Sequence, residues 1–137
     1  MNSNAVILKA KRTPIGSFQG NLSLFSASEL ASFVIQDILK DSRLDRTLIN
    51  EIIIGNVLSA GQGQAPARQA ALKGGCKNSI EALTINKMCG SGLKAIMLAD
   101  QVIRCGDANI ILAGGMESMS NAPHLLMNSR KGTRLGH

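Results

Sequence analysis

Between Ile80 and Cys105 an apolar run, Ile80, Leu83 and Ile85, gives way at Asn86-Lys87-Met88-Cys89-Gly90-Ser91-Gly92 to a helical pattern. A strand that turns sharply into a helix is half of a repeating α/β unit, because the strand needs neighbours and the helix needs a sheet face to lie on. Beyond the turn, Leu93, Ile96, Met97, Val102 and Ile103 fall roughly on one helical face, and Gly106 stands where a left-handed residue ends a helix. Cys89 is thereby placed at or beside a helix N-terminus. Unpaired N–H groups and the positive end of the macrodipole favour an anion there, which favours the nucleophilic thiolate. The glycines at 90 and 92 let a substrate approach the sulfur closely, as at the nucleophile turn of other α/β enzymes. Taken alone, the same residues also fit a small buried thiol beside an ordinary Gly-Ser-Gly start to a helix.

The rest of the chain repeats the pattern. Ala5-Val6-Ile7-Leu8 reads as a short buried strand, and Arg12-Thr13-Pro14-Ile15-Gly16 breaks regular structure. Ser26 or Ser28 caps a helix with Glu29 in its first turn and Leu30, Phe33, Val34 and Ile38 as its apolar stripe, running to about Lys40. A polar connection, Asp41 to Thr47, leads to Glu51-Ile52-Ile53-Ile54-Gly55-Asn56-Val57-Leu58, whose β-branched run marks a central strand covered on both faces. Pro66 opens an Ala-rich helix to about Lys73, and Asn109 to Gly115 makes a fourth strand. The expected order is β-α-β-α-β-α-β. Right-handed crossovers stack such units into a mostly parallel sheet with helices on both faces.

With 137 residues the chain makes about one domain, and 45% hydrophobic with 18% charged residues describes a globular protein. No apolar run is long enough for a membrane span and no signal-like h-region opens the chain, so the expectation is no membrane partner and a cytoplasmic location. Three cysteines at 76, 89 and 105 make neither a disulfide framework nor a CxxC metal site. The net charge of +6 is spread along the chain and only 2% of residues are aromatic, which argues against nucleic acid as a partner. Gly61-Gln62-Gly63-Gln64 is a glycine-rich turn after a strand, but Pro66 stands where a dinucleotide fingerprint has its third glycine. Cofactor-binding and metal-binding residues are accordingly expected to be none. The basic cluster Arg130, Lys131 and Arg134 closes the chain without closing any element.

Ile85-Asn86-Lys87-Met88-Cys89-Gly90-Ser91-Gly92-Leu93-Lys94-Ala95-Ile96 resembles the segment around the acyl-accepting cysteine of thiolases, and Ala113-Gly114-Gly115-Met116-Glu117-Ser118-Met119-Ser120 is similar to a second stretch of that family. Arg12-Thr13-Pro14-Ile15-Gly16 and the run from Gly61 to Gln69 resemble two further family segments, the latter as support for the nucleophile turn. Within thiolases the combination looks most like acetyl-CoA acetyltransferases. The resemblance implies a thiolase-like N-terminal half over residues 1–120, the opening of a loop domain over 121–137, and a chain that spans the first third of the family's length. It also implies that Cys89 is the catalytic residue, with acyl-CoA and acetyl-CoA as substrates, no separate cofactor, and assembly as a homo-oligomer. In thiolases the activating histidine and a second cysteine come later in the chain. Neither His124 nor His137 stands in the family's Gly-His-Pro context, and neither Cys76 nor Cys105 matches the second cysteine.

The chain alone is therefore expected to be inactive. Two other readings stay open: a non-catalytic thiolase-like fragment, and another acyl-cysteine condensing enzyme such as a ketoacyl synthase. Met116 and Met119 are candidates to line an acyl pocket or to serve the core, Cys105 for buried packing, and Cys76 for a loop thiol. Glu117 shows no partner in the sequence pattern and is expected to cap or to face solvent.

Overall fold

The computed structural model describes residues 4–41 and 44–132. Three parallel strands, β1 (Glu51–Gly55), β2 (Glu81–Ile85) and β3 (Ile111–Gly115), form one sheet in the order β2-β1-β3. Ile53 of β1 stands level with Leu83 of β2 and Ala113 of β3. Helix α1 (Ala27–Asp41) and α2 (Pro66–Lys73) lie on one face, and α3 (Ser91–Cys105) on the other. Alternation along β1 explains the layering. Ile52 and Ile54 join Ile35, Leu39, Ala67, Ala70 and Ala71 in the larger core. Ile53 points the other way, to Ala95 and Ala99 of α3.

The α/β class and helices on both faces are as expected, and so are the starts of α1 and α2. Of the two candidate caps for α1 the chain uses Ser26. Its backbone N–H donates to Glu29 Oε2 at 2.9 Å while the Glu29 N–H donates to Ser26 Oγ at 3.3 Å, a reciprocal capping box. These bonds, and then Lys73, hold the Glu29 carboxyl below its ordinary pKa. At the far end of α3, Gly106 adopts φ +83° and receives the expected left-handed cap.

Three expectations fail. The apolar stripe of α1 is rotated, with Ala31, Ile35 and Leu39 buried while Phe33 is 44% exposed. Ala5 to Leu8 forms no strand: Ile7 is 79% exposed, and a cavity of about 1180 Å³ separates residues 5–13 from β3 and α1. A strand needs a partner's N–H and C=O groups within reach, and this segment has none there. The apolar stripe of α3 is also misplaced. Ala95 and Ala99 face the sheet, while Leu93, Ile96 and Met97 are exposed. Close approach of helix to sheet favours small side chains at the contact, and the larger ones are pushed to the flank.

Glu51 begins β1 directly opposite Glu81 of β2, and burial, then the Glu81 charge, raises its carboxyl pKa. The folded state thus holds this proton more tightly than the unfolded chain, so ionisation above the ordinary carboxylate range costs stability. Glu51→Gln is expected to raise the thermal midpoint of the full-length protein at neutral pH. The gain should shrink as pH falls through the raised range and vanish below about pH 4. A midpoint that does not move at pH 7 would contradict the burial of this charge.

Candidate functional site

The turn from β2 into α3 is held by its own side chains. Asn86 Oδ1 accepts from the Met88 N–H at 3.0 Å, and the Gly90 N–H donates to the Lys87 carbonyl at 3.0 Å. Ser91, 5% exposed, accepts from the Lys87 N–H at 2.8 Å and donates through Oγ to the Met88 carbonyl at 2.7 Å. These bonds keep Met88 at φ +46°, a left-handed conformation that costs a non-glycine residue about 1–3 kcal/mol. Cys89 follows at once. It is exposed, and it stands one residue before Gly90, the N-cap of α3.

Three backbones meet beneath it. A Cβ on Gly55, the last residue of β1, would lie 2.5 Å from the Ser91 backbone carbon. One on Gly115, the last residue of β3, would lie 3.1 Å from Gly92 Cα. The first turn of α3 therefore rests directly on the C-terminal ends of two strands, which sets the height of the cysteine above the sheet. Gly55→Ala forces α3 away from β1. We expect it to destabilise the protein by ~1–3 kcal/mol, as overpacking does, and to slow alkylation of Cys89; urea unfolding and timed iodoacetamide labelling measure the two effects.

A cleft of about 480 Å³ opens over this corner, lined by Cys89 and Met88 on one side and by Val57, Leu58, Met116 and Met119 on the others. Both candidate methionines are thus at the cleft, and Met116 also belongs to the core. The expected strand to Leu58 ends at Gly55, and Val57 and Leu58 beyond it line the cleft. What holds this wall is Glu117, expected to cap or to face solvent and instead accepting from backbone and side-chain N–H groups of a distant segment. Glu117 Oε1 accepts from Asn56 Nδ2 at 2.7 Å and from the Leu58 N–H at 3.1 Å, and Oε2 accepts from the Val57 N–H at 3.0 Å.

Helix α2 supports the strand that leads to the cysteine. The Ala67 N–H donates to Thr84 Oγ1 at 3.0 Å, and the Arg68 guanidinium donates to the carbonyls of Ile80 and Asn78, both at 2.9 Å. Gln69 Nε2 closes the preceding loop on the carbonyls of Gln62 and Gln64. The support expected of the Gly61–Gln69 run thus reaches β2, the strand that enters the turn.

Of the other two thiols, Cys76 lies in the loop after α2 as expected but is buried, and Cys105, expected to be buried, is not. Cys76 is buried in the larger core, where burial raises its pKa against a smaller opposing effect of Arg46. Cys105, the last residue of α3, is exposed. His124 is exposed and does not line the cleft; Arg134 and His137 lie outside the described residues. Among the described residues no three His, Cys, Asp or Glu side chains converge as a metal site.

The family model for the N-terminal domain of thiolases matches residues 5–137. The chain belongs to the thiolase family. It is 52% identical over 134 residues to the probable acetyl-CoA acetyltransferase of Escherichia coli (strain K12), covering 98% of this chain and 34% of that protein. It is 53% identical over 136 residues to the acetyl-CoA acetyltransferase of Allochromatium vinosum, covering 99% of this chain and 34% of the relative. The chain thus spans about a third of the length of these relatives. Among solved structures, the Acat5 thiolase from Ascaris suum in complex with coenzyme A superposes with a TM-score of 0.81 at 45% identity, covering 84% of this chain and 30% of that one.

Within this thiolase-family domain, the sequence placed Cys89 at the turn and offered Met116 and Met119 for a pocket, and it missed the bracing by Glu117, Ser91 and Gly55. Glu117 carried one signal, an acidic residue two positions after a glycine-ended strand. Gly55 carried none, because it meets Ser91 only through the fold, whereas the Ser91 bonds to Lys87 and Met88 are local to the turn.

Proposed function

We propose that residues 1–120 form the N-terminal catalytic half of an acetyl-CoA C-acetyltransferase that joins two acetyl-CoA into acetoacetyl-CoA or runs the thiolytic reverse. Residues 121–137 open its loop domain in this reading. Cys89 Sγ attacks the carbonyl carbon of an acyl-CoA thioester. The new C–S bond forms as the bond to coenzyme A breaks, and the departing thiolate takes up a proton. A base then removes a proton from the α-carbon of acetyl-CoA, the resulting carbanion attacks the acyl carbon, and Cys89 leaves as thiolate. Sulfur suits both halves of this exchange, since it is a good nucleophile and a good leaving group. By resemblance to the family, the base and the second cysteine belong to later parts of the fold.

The observation that carries the reading is the exposed Cys89 above the Gly55–Gly92–Gly115 corner, at the open end of a parallel sheet and beside an apolar cleft. The names of the relatives and the coenzyme A held by the Ascaris thiolase support acyl-CoA as substrate. No helix among the described residues is long and apolar enough to cross a membrane. A cytoplasmic homo-oligomer acting on soluble thioesters is the setting we propose.

The test is to incubate the full-length protein with acetyl-CoA, quench in acid, digest, and weigh the peptides. One acetyl group on the Cys89 peptide is expected. Turnover with the acetyl group on another residue, or on none, would overturn the reading.

A further inference from the structure

The strained Met88 is tied to Glu117 by a continuous path of hydrogen bonds. Glu117 Oε2 takes the Val57 N–H at 3.0 Å. The carbonyl of the same Val57 accepts from Asn86 Nδ2 at 3.4 Å, the longest link. Asn86 Oδ1 in turn accepts from the Met88 N–H at 3.0 Å, and Met88 precedes Cys89. Both faces of the Asn86 side chain are used, one toward the cleft wall and one toward the elbow. The far end of the path is anchored twice more, since Glu117 Oε1 takes the Leu58 N–H and Asn56 Nδ2. Asn56 is 2% exposed, and its Oδ1 has no partner among the described residues. The carboxylate fixes that orientation: turning the amide over would set Oδ1 against Glu117 Oε1 across the 2.7 Å contact. A charged acceptor binds roughly twice as strongly as a neutral one, which makes Glu117 the firm point of the network.

We propose that Glu117 is a positioning residue for Cys89, acting through Val57 and Asn86 on the Met88 elbow. The inference rests on reading Cys89 as the acyl acceptor. Both carboxylate oxygens accept from protein donors, so Glu117 holds in place the cleft wall that it helps to line. A left-handed Met88 relaxes unless its surroundings over-determine it. Releasing the cleft wall removes the bond on which Asn86 is braced, and the sulfur then samples positions off the line of attack. Misplacement of about 1 Å is enough for a loss on the order of 100-fold.

The experiment uses the full-length protein with Glu117→Gln, Asn86→Asp and the double variant. Asn86→Asp keeps the acceptor for the Met88 N–H and removes the donor to Val57, so it cuts the path while leaving the turn bond. Three quantities are read: kcat and KM for acetoacetyl-CoA thiolysis, the rate constant for alkylation of Cys89 by iodoacetamide, and the thermal midpoint. Each single variant is expected to lower kcat and the alkylation rate by about 10- to 100-fold with little change in KM. The double variant should be no slower than the slower single, because both cut one path. Multiplying losses in the double variant, or a rise in KM at unchanged kcat, would overturn the proposal, as would normal alkylation in Asn86→Asp. Should Glu117→Gln unfold, Asn86→Asp alone decides, since Asn86 is exposed and its loss leaves the core intact. Alkylation does not depend on the acyl-transfer reading, so a wild-type Cys89 that takes no acetyl group would sink that reading while leaving the positioning result measurable.

Discussion

Cys89→Ser in the full-length protein is expected to lower acyl transfer by on the order of 10⁴-fold or more, the scale of losing a covalent nucleophile. Serine keeps the shape and loses the chemistry. Its hydroxyl would need a base to attack and would be a poor leaving group when the carbanion displaces it. Stability should move by no more than ~0.5 kcal/mol, because an exposed residue outside the helix gives up little packing. That separation is the point of the test: activity near the parent level would remove Cys89 from the mechanism, and a collapse of the fold would show a structural role instead. Alkylation gives an internal control. Cys89 and Cys105 are both exposed but sit at opposite ends of α3, and the attacking species carries negative charge, so the positive end of the helix should react first. Cys76 should react last, since burial raises its pKa and the core covers it. Faster labelling of Cys105 than of Cys89 across neutral pH would contradict the dipole argument.

The elements read most easily from the sequence were those whose cause is local. Ser26 with Glu29 three residues on, Pro66 before an alanine run, Gly106 after an amphipathic run, and three isoleucines in a row each specify their own structure without reference to anything distant. Ala5 to Leu8 looked equally local, being four strand-forming residues, yet a strand is completed by its partner and the edge of β3 stands across a cavity from it. The failure on α3 has a similar origin. Periodicity shows that Leu93, Ile96 and Met97 share a face, but the distance between helix and sheet is set at Gly55, Gly92 and Gly115, and at that distance alanine is what fits. At the site, a motif located the cysteine while Glu117 reaches across 60 residues to Val57, a pairing no spacing rule contains.

Residues 1–137 on their own are expected to be oligomeric, aggregating or partly molten and not a compact monomer. Their surface is 9748 Å². A compact monomer of 14.4 kDa would expose roughly 6,800 Å² by the usual scaling of area with mass. The excess is not polar decoration, because Val6, Ile7, Leu8, Ile15, Phe18 and Leu24 are all exposed on the N-terminal arm, and Leu125, Leu126 and Met127 at the other end. Patches of that extent on a lone chain favour association. The sheet adds to this, since β2 and β3 are both edge strands and Leu83 on β2 is exposed. An uncovered edge presents unpaired N–H and C=O groups to any neighbour. The cavity of about 1180 Å³ between the N-terminal arm, β3 and α1 separates apolar surfaces that would otherwise stabilise each other. Interiors hold together by contact, and a gap of this size forfeits the contact on both walls. Light scattering combined with chemical denaturation gives the answer: a broad, concentration-dependent transition is expected. A monodisperse monomer with a single cooperative transition would mean that the arm closes onto β3 and seals the sheet by itself.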